Sequence, residues 1–205
     1  EAKSQQMHTL PNIRDAESGD LDTLVDTLSD SFADDPILNW VFPRNKLHPD
    51  FFRLVVKDVY LPRGIMHMEA TGRAAALWLP PEERFEIPPR MALLKLVFQL
   101  LLYKGPGILW RIQQQHAVFA KHLPKDPHYY LQFIGCRQRD QGQGIGAALL
   151  KRGTSICDEK GMPAYLESSN VINVPLYERH GFEVIAEEAV SRNGPKAWFM
   201  WREPQ

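Results

Sequence analysis

Ile134-Gly135-Cys136-Arg137-Gln138-Arg139-Asp140-Gln141-Gly142-Gln143-Gly144-Ile145-Gly146-Ala147-Ala148-Leu149-Leu150 is the stretch on which the reading of this chain turns. The apolar run Tyr129 to Cys136 predicts a strand, the residues from Arg137 a polar glycine-rich turn, and the Ala/Leu pattern an amphipathic helix over Gly144 to Lys160. A helix start leaves backbone N–H groups without intrahelical partners, and the aligned peptide dipoles make that end attractive to anions. Glycines at 142, 144 and 146 remove the side chains that would keep a phosphate away from those amides. The stretch therefore predicts a site for a phosphate-bearing ligand.

Two familiar phosphate loops fit poorly. A triphosphate-binding loop needs Lys-Ser or Lys-Thr directly after its last glycine, where this chain has Ile145-Gly146-Ala147. The dinucleotide fingerprint is nearer, because Gly142, Gly144 and Ala147 satisfy Gly-x-Gly-x-x-Ala and Glu167 lies about 20 residues beyond. Against it stand the polar linker Arg137 to Gln141 before the first glycine and a remaining chain too short to complete a doubly wound sheet.

Working outward, Pro163 to Ser168 predicts a strand, Val174 to Arg179 a helix, and Phe182 to Val190 and Lys196 to Arg202 two closing strands. The order of elements reads as a mixed α/β sheet. Gln141-x-x-Gly144-x-Gly146 after a strand and before an Ala/Leu-rich helix resembles the coenzyme A pyrophosphate loop of the GNAT acetyltransferase family. Leu166-Glu167-Ser168-Ser169-Asn170 and Asn173-Val174-Pro175-Leu176-Tyr177-Glu178-Arg179-His180-Gly181-Phe182 resemble that family's last strand-helix-strand unit, at the expected distance. Within the family, Phe32-Ala33-Asp34-Asp35-Pro36, Gln113-Gln114-Gln115 and Pro124-Lys125-Asp126-Pro127 resemble the puromycin N-acetyltransferase branch. The resemblance implies an α+β fold with a mixed, mostly antiparallel sheet flanked by helices, a helical insertion before the coenzyme-binding strand, and a single domain over residues 1–205. It further implies acetyl-CoA as cosubstrate, no metal, and direct transfer of the acetyl group to an amine of a small molecule.

Amine attack on a thioester needs a neutral nucleophile, stabilisation of the tetrahedral oxyanion and a proton for the departing thiolate. The resemblance puts the thioester carbonyl against backbone amides of Ile134, Gly135 and Cys136, and the pyrophosphate on Gln141, Gly142, Gln143, Gly144, Ile145, Gly146 and Ala147. Cys136 reads as a passive strand residue, since direct transfer needs no covalent intermediate. Tyr177 is the implied proton donor; the competing reading is an aromatic packed beside Phe182. Asn173 reads equally as a hydrogen-bond partner of the pantetheine chain and as a helix cap. Glu167 is the candidate base, directly or through water, or else a partnered structural carboxylate; His128, His116 and Glu69 are the other candidates, and an amine arriving neutral needs no strong base.

Upstream, Asn12 to Asp15 predicts a short strand, and Leu21 to Phe32 a helix with Ser18-Gly19-Asp20 as its cap and Asp34-Asp35-Pro36 as its stop. Pro49 to Leu61 predicts a second helix, and Ile65 to Ala70 with Arg73 to Leu79 a hairpin turning at Thr71-Gly72. Met91 to Leu102 and Ile108 to Leu123 predict two helices parted by Gly105-Pro106-Gly107, a wall beside the substrate. The first, shorter than the roughly 20 apolar residues a membrane span needs and interrupted by Lys95 and Gln99, reads as a buried helix. Trp40, Phe42, Trp78, Phe85 and Trp110 are candidates for an apolar acceptor pocket or for core, and Arg137 and Arg139 for phosphate contacts or a solvated loop.

Lys and Arg number 24 and Asp and Glu 25, a formal net charge of -1, so no global field draws nucleic acid or an anionic membrane. Two cysteines, Cys136 and Cys157, are too few for a disulfide framework and have no zinc-site spacing. The polar stretch from Glu1 to Asn12 lacks a signal-peptide pattern, so a cytoplasmic location is expected. The expected partner is a small-molecule amine, and a homodimer is compatible with the sequence. The alternatives in function are a coenzyme A-binding sensor without turnover, and a transferase acting on a protein amine.

Overall fold

The computed structural model describes residues 11–43 and 46–205. In chain order the elements are β1 (Ile13–Asp15), α1 (Leu21–Ser31), α2 (Pro36–Val41), α3 (His48–Val55), α4 (Leu61–Arg63), β2 (Ile65–Glu69), β3 (Ala74–Leu79), α5 (Met91–Lys104), α6 (Gly107–His122), β4 (Tyr129–Cys136), α7 (Ile145–Glu159), β5 (Ala164–Ser168), α8 (Val174–Glu178), β6 (Glu183–Ala189) and β7 (Lys196–Arg202). The seven strands form one sheet in the order β1-β2-β3-β4-β5-β7-β6. Every pairing is antiparallel except β4 with β5, so the expected mixed, mostly antiparallel sheet is what the chain forms.

All six residues of β3 are buried, as befits a strand covered on both faces. Strand geometry sends alternate side chains to opposite sides. Ala74, Ala76 and Trp78 join Leu149 and Leu150 of α7 in one core, while Ala75, Leu77 and Leu79 join Leu24 and Leu28 of α1 and Phe52 and Val55 of α3 in the other. A turn of π-helix, Val56–Tyr60, links α3 to α4, so the helix expected over Pro49 to Leu61 is continuous but locally widened.

Close packing makes Gly153 sensitive. Replacing glycine by alanine in a helix interior ordinarily stabilises by up to about 1 kcal/mol. Here the added methyl would stand 2.3 Å from Cζ2 of Trp78, and overpacking of this kind costs about 1–3 kcal/mol. We expect Gly153→Ala to lower unfolding free energy by about 2 kcal/mol in a urea titration; unchanged stability would mean that α7 shifts freely on β3.

Two expectations need correction. Asp35-Pro36 does more than stop α1: Pro36 occupies the first position of α2, and the Asp35 side chain accepts a hydrogen bond from the Leu38 amide at 2.7 Å. Six residues were too few for periodicity to reveal. Helix α5, read as buried, buries Leu96 and Leu100 but exposes Met91, Leu94, Phe98 and Leu102. It is apolar all round, but only one side has protein to pack on. No single described helix is long and apolar enough to cross a membrane; α5 and α6 would suffice together but meet at 115°. The N-terminal residues on which the localisation reading rested lie outside the described residues as far as residue 10.

Candidate active site

The site begins with a break in the sheet. Strand β4 pairs with β5 only from Tyr129 to Leu131. On its other side, Leu77 faces Phe133 and Trp78 faces Leu131, so Gln132 is an extra residue, a bulge that bends β4. Beyond it, Phe133 to Cys136 stay paired with β3 while β5 diverges. Along this segment every second residue points its backbone groups toward β5 and finds no strand there. The gap opens into a cleft of about 820 Å³.

Its walls come from separate parts of the chain. The turn after β4 contributes Gly142 and Gly144, with φ of 77° and 78°, left-handed values that glycine adopts without steric cost. Gly144 is the N-cap of α7, whose first hydrogen bond runs from the Ala148 amide to the Gly144 carbonyl at 3.1 Å. The amides from Gly144 to Ala147 have no protein acceptor among the described residues. A Cβ built on Gly142 or Gly144 would meet nothing within 4 Å, so open space lies in front of the amides, and such a cradle fits a pyrophosphate. Gly135 is required for a different reason: a Cβ there would stand 2.5 Å from that of Ser31, where α1 packs against β4.

The opposite wall holds Glu167 at the end of β5 and Tyr177 in α8. Burial raises the Glu167 carboxyl to a pKa of about 7, while hydrogen bonds to Tyr130 and Tyr165 pull the other way. The Tyr130 hydroxyl donates to Glu167 at 2.5 Å; that of Tyr165 faces the same carboxyl without a well-formed hydrogen bond. What surface Glu167 retains opens onto the cleft. Tyr177 is buried, its ring 6.3 Å from that of Phe182 at a T-shaped angle, and its hydroxyl makes no hydrogen bond to the protein among the described residues. Burial, and then the charge of Asp35, hold its pKa well above the ordinary tyrosine value, so the phenol carries its proton.

Residues 104–182 match the model of the acetyltransferase (GNAT) family. That span contains the β4 break, the glycine turn, Glu167 and Tyr177. Over that span the chain is similar to GNAT-type N-acyltransferases. It is 28% identical over 200 residues to an uncharacterised N-acetyltransferase of Schizosaccharomyces pombe, covering 87% of this chain and 78% of the relative. Its fold is similar to that of a histone acetyltransferase HPA2 and related acetyltransferase from Corynebacterium glutamicum, with a TM-score of 0.68, 22% identity and coverage of 96% and 98%. A Drosophila melanogaster polyamine N-acetyltransferase that forms N-acetylagmatine has a TM-score of 0.63 at 15% identity, with coverage of 94% and 99%.

Most of the residues singled out from the sequence meet at this cleft: Ile134, Gly135, Cys136, Gln141, Gly142, Gly144, Ile145, Gly146, Ala147, Glu167, Asn173 and Tyr177 all line it. Gln143 does not; its Oε1 accepts from Arg73 at 3.3 Å. The Cys136 thiol is pushed up to about 11 by burial, in keeping with an inert side chain. Asn173 sits at the N-cap of α8, yet its side chain caps nothing.

The other candidate bases are engaged elsewhere. Glu69 is held at a pKa of about 2, first by Arg73 and also by Thr71, bracing the hairpin turn. His128 bonds the Asp126 carbonyl at 2.6 Å, and His116 lies on the exposed side of α6; neither lines the cleft. None of the five aromatics proposed for an acceptor pocket lines it either: Phe42 and Trp78 are core, Phe85 packs on the α1 core, Trp40 stacks with Arg111, and Trp110 is exposed. Arg137 turns inward to the Gly72 carbonyl at 3.0 Å, and Arg139 pairs with Asp140. Sequence reasoning gave no site role to Phe32, Asp34, Asp35, Ser169 or Arg179, all of which line the cleft. The Asp35 carboxylate, which accepts a hydrogen bond from Ser169, ties the α1–α2 turn to the segment after β5.

Proposed function

We propose that the transferase acetylates an amine of a small molecule, using acetyl-CoA, in the cleft between β4 and β5. The observation that carries this reading is the convergence of three features there: unpaired strand amides after the Gln132 bulge, the open amides at the start of α7, and the pair Glu167 and Tyr177. The pyrophosphate lies on residues 141–147 and the thioester carbonyl against backbone amides of Ile134 to Cys136. Asn173 meets the pantetheine chain, a role favoured by its idle side chain. The amine nitrogen bonds to the carbonyl carbon and gives its proton to Glu167 or to a water Glu167 holds. The tetrahedral oxyanion collapses, the C–S bond breaks, and Tyr177 protonates the thiolate, leaving an amide and free coenzyme A.

Support for a small acceptor comes from the polyamine N-acetyltransferase of the same fold. The segment Phe32 to Pro36, which resembles the puromycin N-acetyltransferase branch, contributes Phe32, Asp34, Asp35 and Pro36 to the cleft, consistent with a place in that branch. We read residues 1–205 as one catalytic domain acting in the cytoplasm. A panel of small amines tested for thiol release from acetyl-CoA is expected to give turnover with at least one. Acetylation confined to peptide lysines or N-termini would overturn the acceptor class.

Glu167→Gln supplies a separate test. A base with a pKa near 7 makes wild-type kcat/KM rise through that pH and then level, and the variant loses this step along with on the order of 10²-fold in rate at neutral pH. Stability moves oppositely. Because the folded carboxyl pKa is raised from 4.5 to about 7, wild type loses stability as pH climbs across that window, by about 3 kcal/mol in all. Glu167→Gln removes the loss, so its advantage in melting temperature should grow from pH 5 to pH 8. A pH-independent difference would mean that Glu167 titrates like a solvated carboxylate.

A further inference from the structure

Independently of the transferase reading, the α5–α6 insertion presents a surface that the cleft does not use. Met91, Leu94, Phe98 and Leu102 follow one another at helical spacing along the exposed side of α5, directly opposite the buried Leu96 and Leu100. Leu109 and Trp110, in the first turn of α6 just after the break, are exposed as well. Met91 is 79% exposed, Leu102 71% and Phe98 61%, and none of these residues lines the cleft. Isolated exposed apolar residues are ordinary, but a contiguous stripe on a helix that is apolar on both sides is not.

Charge says what covers it. The balance near zero is a sum over the whole chain; between Glu86 and Asp126 there are Arg90, Lys95, Lys104, Arg111, Lys121 and Lys125 and no carboxylate at all. Arg90 is paired with Asp58 and Lys121 with Glu188, but Lys95 and Lys104 have no carboxylate partner among the described residues. Lys95 lies on the stripe itself, next to Leu94, and Lys46 stands 5.1 Å over the ring of Tyr103 at the end of α5. The occupant must therefore be apolar in depth and anionic at its rim. A second copy of the chain is a poor match, because two-fold pairing along the stripe sets Lys95 and its neighbours against the same cations. An anionic phospholipid surface matches both requirements: Leu, Met and Phe enter the acyl boundary, Trp110 and Tyr103 sit at headgroup level, and lysine stems extend their charges to the phosphates. The two helices meet at 115°, a bend that suits the pair to lying on the surface.

We propose that the α5 stripe, together with Leu109 and Trp110, docks the protein reversibly onto anionic lipid bilayers. The test is cosedimentation of the full chain with vesicles of phosphatidylcholine alone and of phosphatidylcholine mixed with phosphatidylserine. Binding is expected for the mixed vesicles at low salt, weakening as salt screens the lysines. Phe98→Glu should lower the partition coefficient by more than about tenfold and Lys95→Gln by about fivefold, each with wild-type melting temperature and wild-type thiol release, since both side chains are exposed and neither lines the cleft. Failure to bind mixed vesicles at low salt overturns the proposal, as does binding that Phe98→Glu leaves unchanged. Analytical ultracentrifugation runs alongside: a wild-type dimer that Phe98→Glu dissociates, with no vesicle binding, would assign the stripe to self-association instead. Because neither readout depends on catalysis, failure here leaves the acetyltransferase proposal standing, and failure of the amine panel leaves this one.

Discussion

Tyr177→Phe is expected to lose about 10²- to 10⁴-fold in turnover while binding acetyl-CoA almost as tightly as wild type. The phenol is buried at the cleft, has no protein acceptor among the described residues and holds its proton firmly, because burial and Asp35 both oppose the phenolate. It is thus a donor whose acceptor arrives only with the reaction, as thiolate charge develops. Removing one oxygen leaves the T-shaped contact with Phe182 intact, so stability should hold. Tyr177→Ala, by contrast, empties a core position beside Val174 and Phe182 and should lower unfolding free energy by about 3–5 kcal/mol. Steady-state kinetics, coenzyme affinity and melting temperature on both variants separate chemistry from packing. Pre-steady-state measurements must show that chemistry limits the rate, since slow product release hides the loss of an acid. If it does and Tyr177→Phe keeps full turnover, another group protonates the thiolate.

Gly144→Asp should weaken acetyl-CoA binding by at least about 10²-fold, and Gly144→Asn by less than about tenfold. Both variants place a side chain on a left-handed residue, a strain that Asp and Asn tolerate better than most, and both project it into the open space before the α7 amides. They differ in charge. A carboxylate about 5 Å from one phosphate charge costs about 3 kcal/mol at an effective dielectric near 20, and a pyrophosphate carries more than one charge. Calorimetry with acetyl-CoA, at fixed salt, reads the difference. Wild-type affinity in both variants would place the pyrophosphate elsewhere. Equal but severe losses would point to the backbone turn rather than to charge.

The features that sequence alone made legible are those set locally. Gly142 and Gly144 stand at positions where the chain turns through positive φ into a helix, and that need is written into a few consecutive residues. Likewise Tyr129 to Cys136 and Lys196 to Arg202 run as strands between the predicted limits, because their apolar content and their turn signals are local too. The residues around the cleft that escaped notice are brought there by contacts distant in the chain. Asp35 reads as a helix stop until Ser169, far along the sequence, is seen donating to it. Glu69 and Glu167 are each a strand-end glutamate in sequence; one lies against Arg73 and is held near 2, the other lies among tyrosines and is raised to about 7.

The same division accounts for one choice left open and one reading that failed. Trp40, Phe42, Trp78, Phe85 and Trp110 are equally apolar in sequence, yet which of them enters core, stacks on a guanidinium or meets solvent depends on what stands opposite, and none stands at the cleft. Helix α5 has apolar residues on every side, a pattern that fixes a helix but not its burial, since burial requires protein on both sides and the fold places it on one. Sequence by itself determined the element order apart from the short α2, the glycine turn that opens α7 and the tyrosine after it, because hydrogen-bond periodicity and backbone sterics act over a few residues. Tertiary structure decided the β4–β5 gap, the ionisation of Glu167 and the exposed stripe on α5, because desolvation and packing depend on groups that only folding brings together.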